Sequence, residues 1–166
     1  MASKQENLKN PLTWLAVGFG TGYFPLAPGT LGSLLATLLF CLLITPFLRP
    51  FAYIFTLVAY VFLIIASFFF GLFLYRRTMG AEKDAKVFVW DEFVGMWLAY
   101  FPLLVFESFW PWIIFSFVLF RIFDIWKPRP ISYFDNLGSP YGVMMDDIIS
   151  GLFSALIITI AVLIFY

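Results

Sequence analysis

Trp90-Asp91-Glu92-Phe93-Val94-Gly95-Met96-Trp97 sets two adjacent acids inside a run that otherwise has the composition of a membrane-spanning helix. A carboxylate near the bilayer centre costs roughly 2.5–3.5 kcal/mol on insertion scales, so acids within membrane helices face a protein interior or a wet cavity and mark function. The question this stretch poses to the rest of the chain is what Asp91 and Glu92 hold.

The surrounding sequence fits a bilayer. Of 166 residues, 63% are hydrophobic and 12% charged, against roughly 45–50% apolar residues in soluble domains. The expected fold is all-α, an integral membrane helical bundle. Ten basic and ten acidic residues cancel, so no global field points to nucleic acid, and nothing indicates a protein partner. The single cysteine, Cys41, lies in an apolar run and reads as an inert packed residue. No small-residue cleavage site follows the first apolar piece, so no removable leader is expected.

Largely apolar runs at Leu31 to Leu48, Phe51 to Tyr75, Val87 to Val105, Pro111 to Trp126 and Asp146 to Tyr166, the first two without any charge, give about five transmembrane helices, since about 20 apolar residues cross a bilayer. Residues 1–11 read as a cytoplasmic tail and 12–166 as one membrane-embedded domain. Leu12 to Ser33 holds five glycines and two prolines, too broken for a continuous span, and is expected to be a broken or re-entrant segment. Thr30 is the expected N-cap of the first span, and residues 131–145 are expected to form a loop around Gly138, Pro140 and Gly142.

The bases set the orientation. With the N-terminus inside, inner segments carry Lys4, Lys9, Arg76, Arg77, Lys83, Lys86, Lys127 and Arg129, and outer loops carry Arg49. That asymmetry predicts a cytoplasmic N-terminus. Asp91, Glu92, Arg121, Asp124, Asp146 and Asp147 then meet at one depth on the cytoplasmic side.

Five carboxylates gathered in a nearly uncharged bundle repel one another unless a cation sits among them. Arg121 can pair with Asp124 along one helix face, which alone would be a structural ion pair. The whole set of Asp91, Glu92, Asp124, Asp146 and Asp147 is oxygen-rich and suits Mg²⁺. Gly95 and Gly151 each lie four residues after an acid, at Asp91 and Asp147, and leave room either for a ligand or for close helix packing. The glycine-rich segment lacks the lysine of a Walker A loop. It offers either a phosphate cradle through Thr30, Ser33 and bare N–H groups or a helix break tolerated by packing.

Arg121 and Lys127 at headgroup level can clamp a phosphate. The absence of histidine excludes phosphatases built on a histidine nucleophile or base. No Cys-x₅-Arg loop and no Asp-x-Asp nucleophile motif is found either. Metal-assisted attack by water on a lipid-borne phosphate is what remains.

At these residues the chain resembles the phosphatidylglycerophosphatase A family of bacterial inner-membrane lipid phosphatases. The resemblance rests on Leu15-Ala16-Val17-Gly18-Phe19-Gly20, Pro28-Gly29-Thr30 with Gly32-Ser33, and Trp90 to Trp97. It continues through Phe120-Arg121-Ile122-Phe123-Asp124 with Lys127-Pro128 and Pro130-Ile131, and Met145-Asp146-Asp147-Ile148. It implies Mg²⁺-dependent conversion of phosphatidylglycerophosphate, a phospholipid substrate in the membrane, to phosphatidylglycerol and inorganic phosphate. It also implies an all-α fold and an active site facing the cytoplasm. Alternatives are a phosphatase for another lipid or isoprenoid phosphate, or a small cation-coupled transporter, since broken helices and buried acids serve transporters too.

Overall fold

The computed structural model describes residues 10–48, 50–80, 86–106 and 111–165. Lys4, Lys9, Arg49, Lys83 and Glu107 lie outside the described residues. Every regular element among the described residues is helical, as expected.

Helix α1, Pro11–Ala16, starts where the Asn10 side chain accepts the Leu12 N–H at 3.0 Å, with proline at the first helical position. It runs into a tight 3-10 segment, Gly18–Tyr23, kinked where Phe19 and Gly20 take positive φ. The broken character expected of this region is therefore real.

Helix α2, Pro28–Leu48, begins earlier than expected. Pro28 occupies the first turn and Ala27 the N-cap position, so Thr30 lies inside the helix and is not its cap. Proline has its φ already set for a first turn and no N–H to leave unsatisfied. A π turn at Phe40–Ile44 interrupts the helix. It lies just ahead of Pro46, which cannot donate into the ladder.

Helix α3, Tyr53–Thr78, is 26 residues long and ends on Arg76 and Arg77. At ~1.5 Å per residue it reaches about 39 Å, enough for a hydrocarbon core of about 30 Å.

The run expected as a third span divides in two. Helix α4, Trp90–Ala99, stops at Tyr100, and α5, Phe101–Val105, restarts with Pro102 in its first turn. A proline there has no N–H to continue the ladder and restricts Phe101 before it.

Helix α6, Trp112–Trp126, ends at Lys127, which adopts the left-handed conformation and donates its N–H to Phe123 at 2.8 Å. The expected 131–145 loop is largely helical. It contains α7, Ile131–Asp135, and the start of α8, Pro140–Phe165. Ser139 Oγ accepts the Gly142 N–H at 3.1 Å, so Pro140 opens a helix here instead of blocking one.

Three helices, α2, α3 and α8, are long and apolar enough to cross a membrane. By themselves α4 and α6 are shorter than the ~20 residues a span requires. Helix α4 is the axis of the molecule, with its acids, Gly95 and most of its apolar side chains buried. It packs against α2, α3, α6 and most extensively α8, while those helices turn residues such as Leu42, Phe62, Ile125 and Ile164 outward.

Cross-helix hydrogen bonds pin α4. Trp97 Nε1 donates to Ala36 O at 3.0 Å, Trp90 Nε1 to Ser67 O at 3.0 Å, and Tyr60 OH to Trp97 O at 2.6 Å. Where apolar packing gains little over lipid, such polar links and small-residue contacts hold helices together.

Candidate active site

The glycine-rich segment positions α4. A Cβ on Gly22 would collide with the Val87 carbonyl, and one on Gly18 would come within 2.7 Å of Val89 Cγ2. One on Gly32 would lie 2.9 Å from Val89 Cβ. The Val89 N–H donates to Ala16 O at 3.0 Å. The chain leading into α4 thus threads between glycines of α2 and the 3-10 segment. A Cβ at Gly29 would fall on Glu92 Oε1, so the same logic governs the first turn of α4.

Gly95 and Gly151 also serve packing. A Cβ on Gly95 would lie 2.7 Å from the Asp147 carbonyl oxygen, and one on Gly151 would strike the Gly95 carbonyl. Of the two expectations for this pair, the structure supports close helix packing. The contact brings the acid pairs of α4 and α8 side by side. In each pair the first aspartate accepts the next N–H, Glu92 to Asp91 Oδ1 at 2.9 Å and Asp147 to Asp146 Oδ1 at 3.0 Å.

A cleft of about 270 Å³ collects Pro28 and Gly29, the acids Asp91, Glu92, Asp124, Asp135, Asp146 and Asp147, and the bases Lys86, Arg121 and Lys127. All five acids and Arg121, expected to come together, line it, as does Lys127. Thr30 and Ser33 do not line it.

Arg121 bridges two helices. Its Nη1 lies 2.6 Å from Glu92 Oε2 and its Nη2 3.1 Å from Asp124 Oδ2. Ser33 Oγ lies 2.7 Å from Glu92 Oε2 and accepts from Arg121 Nη1 at 3.1 Å, so Ser33 braces Glu92 from behind. Arg121 Nε is buried with no hydrogen-bond partner among the described residues. A buried donor left unmade is costly and is the kind of atom a bound anion would satisfy.

Lys127 Nζ lies 2.7 Å from Asp146 Oδ2 and 2.5 Å from Asp135 Oδ1. Burial works against the ammonium's charge, but these carboxylates outweigh it and hold the Lys127 pKa above the usual lysine range. Lys127 is therefore charged at neutral pH.

Glu92, Asp124 and Asp147 each offer one oxygen, and these atoms lie within 4.8 Å of one another. One arginine shared between two of them leaves the trio with surplus negative charge. A hard divalent cation that prefers carboxylate oxygen fits such a donor set.

Lys86 and Asp135 line the cleft but were not expected there. Lys86 carried a signal only as an inner-side charge. Asp135 follows Lys127 by eight residues across two prolines, a spacing no helical period connects.

The fold and the cleft define a helical membrane protein with a buried acid cluster, braced by arginine and lysine, where α4, α6 and α8 meet. Its family follows from comparison. A family model described as Phosphatidylglycerophosphatase A matches residues 14–162, and the chain belongs to the phosphatidylglycerophosphatase A family.

It is 38% identical over 162 residues to Phosphatidylglycerophosphatase A of Escherichia coli (strain K12), covering 93% of this chain and 86% of the relative. It is 39% identical over 161 residues to the protein of the same name in Haemophilus influenzae, covering 93% and 91%. A Bacteroides thetaiotaomicron protein named "Putative phosphatidylinositol-3-phosphatase" is 39% identical over 153 residues, covering 89% of this chain and 91% of the relative. No solved structure matches.

Proposed function

We propose that this protein hydrolyses the terminal phosphomonoester of phosphatidylglycerophosphate to phosphatidylglycerol and inorganic phosphate, with Mg²⁺ as its cofactor. The observation that carries the reading is the trio Glu92, Asp124 and Asp147, gathered within 4.8 Å in the lining of a cleft that also holds Arg121 and Lys127. Family membership supports the substrate.

In this reading Glu92, Asp124 and Asp147 are the metal ligands, with Asp91 and Asp146 completing the acidic site. When bound, Mg²⁺ neutralises charge on phosphoryl oxygens and activates a water. Arg121 and Lys127, which both line the cleft, orient the phosphate and add fixed positive charge. Ser33 holds Glu92 in place, and Thr30 lies in the first turn of α2 next to Gly29. An acid must take the proton of the attacking water. Asp91 meets that need, because it lines the cleft, lies outside the trio and forms no ion pair among the described residues.

The arrangement belongs to a single five-pass domain in the bacterial inner membrane, with the cleft and the N-terminus on the cytoplasmic side. The α4–α5 pair and α6 supply the two passes that are short as single helices. The asymmetry of basic residues supports that orientation.

The test is phosphate release by detergent-purified protein from phosphatidylglycerophosphate and from phosphatidylinositol 3-phosphate, with and without a chelator. The expected result is release from the first lipid, lost with chelator and restored by Mg²⁺. Full activity in chelator would remove the metal, and preference for the inositol lipid would replace the substrate.

A further inference from the structure

Charge pairing within the cleft singles out one residue. Arg121 is committed to Glu92 and Asp124, and Lys127 to Asp135 and Asp146. Lys86 is the cleft base that forms no ion pair among the described residues, and it is exposed. Its backbone is well supported. The residues that follow it are held where Val87 abuts Gly22, where the Val89 N–H bonds Ala16 O, and where the Val89 side chain fills the space beside Gly18 and Gly32. The chain thus brings to the cleft an exposed ammonium group that pairs with no carboxylate among the described residues.

The cleft, at about 270 Å³, lies at or below the ~300–1,000 Å³ of pockets that enclose a small ligand. It admits a headgroup and leaves acyl chains in the bilayer. A lipid presenting its terminal phosphate to Arg121 and the acid trio must therefore carry its remaining headgroup past the mouth. The proposed substrate has a second phosphate there, the diester joined to the first by a three-carbon bridge.

We propose that Lys86 is a specificity-determining residue that binds this second, non-reacting phosphate, so that the site recognises lipids with a phosphodiester adjoining the phosphomonoester. A lysine serves here as a point charge on a flexible stem and tolerates either oxygen of the diester. The inference rests on the reading of function above.

The experiment compares wild type, Lys86→Ala and Lys86→Arg in nonionic detergent micelles, which carry no anionic surface of their own. It measures kcat and KM for phosphatidylglycerophosphate and the inhibition constant of inorganic phosphate, which reports on the reacting-phosphate subsite alone. The expected result for Lys86→Ala is a KM raised about tenfold, with kcat and phosphate inhibition unchanged, and recovery in Lys86→Arg. An unchanged KM overturns the proposal. So does a KM that rises together with the phosphate inhibition constant, which would put Lys86 at the reacting group, or a loss that Lys86→Arg does not recover. A wild type that releases no phosphate from this lipid overturns the functional reading itself, and the Lys86 proposal falls with it.

Discussion

Helices α3 and α4 both come from strongly apolar stretches, yet they occupy opposite environments. Helix α3 turns large side chains such as Ile54, Phe62 and Phe69 outward, while α4 is enclosed by its neighbours. In water an apolar helix of either kind would be driven inward. In a bilayer lipid tails are as apolar as leucine, so hydrophobicity does not choose between inside and outside. What distinguishes α4 is its two acids and the indole and carbonyl groups that reach across to α2 and α3. Polar groups and absent side chains mark the interior of this protein.

The sharpest break of that contrast is electrostatic. Asp147→Asn and Glu92→Gln keep the shape of the interior and remove one charged oxygen donor each. Phosphate release is expected to fall at least about 10²-fold in either variant, with the folded fraction in detergent unchanged for Asp147→Asn and reduced for Glu92→Gln, which leaves Arg121 short of a partner. Activity within a few-fold of wild type would show that these oxygens are structural.

A smaller loss should follow from filling the α4–α8 contact. Gly151→Val would push a Cβ into the Gly95 carbonyl and force the helices apart, at a cost of about 1–3 kcal/mol. A lowered melting temperature with reduced activity is expected. A stable, fully active variant would mean that the two helices do not pack at this point.

On the outer surface the expected effect is close to zero. Phe62→Leu exchanges one lipid-facing apolar side chain for another, and stability should stay within about 0.5 kcal/mol of wild type. A large loss there would place Phe62 in a contact between protein surfaces and undo the assignment of α3 to the lipid side.

Much of this plan is legible in the chain. The convergence of Asp91, Glu92, Asp124, Asp146 and Asp147 can be read because charge in an apolar run has few tolerable destinations, and the Arg121–Asp124 pair because i,i+3 neighbours share a helix face. The glycines are harder to interpret. A missing side chain signals that something comes close without naming it, so Gly22 and Gly32 do not announce Val87 and Val89 some sixty residues away.

Proline is ambiguous for a related reason. The same residue that breaks the ladder ahead of Phe101 opens helices at Pro28 and Pro140, and only the neighbouring residues decide which. Ser33 reads as a phosphate ligand from its place after the glycines, but its hydroxyl turns toward Glu92. Tertiary pairing of that kind leaves no local trace. Lys86 lies in a connecting segment and Asp135 closes the five-residue helix α7, too short for a periodicity to predict direction.

The threading of residues 87–89 between the early glycines also constrains biosynthesis. Residues 87–89 abut Gly18, Gly22 and Gly32, so the 18–32 segment cannot reach its final packing until a segment made much later in translation arrives. Assembly of the N-terminal third therefore waits on the middle of the chain. A ribosome-stalled fragment ending before residue 86 should carry membrane helices but hold this segment open to protease.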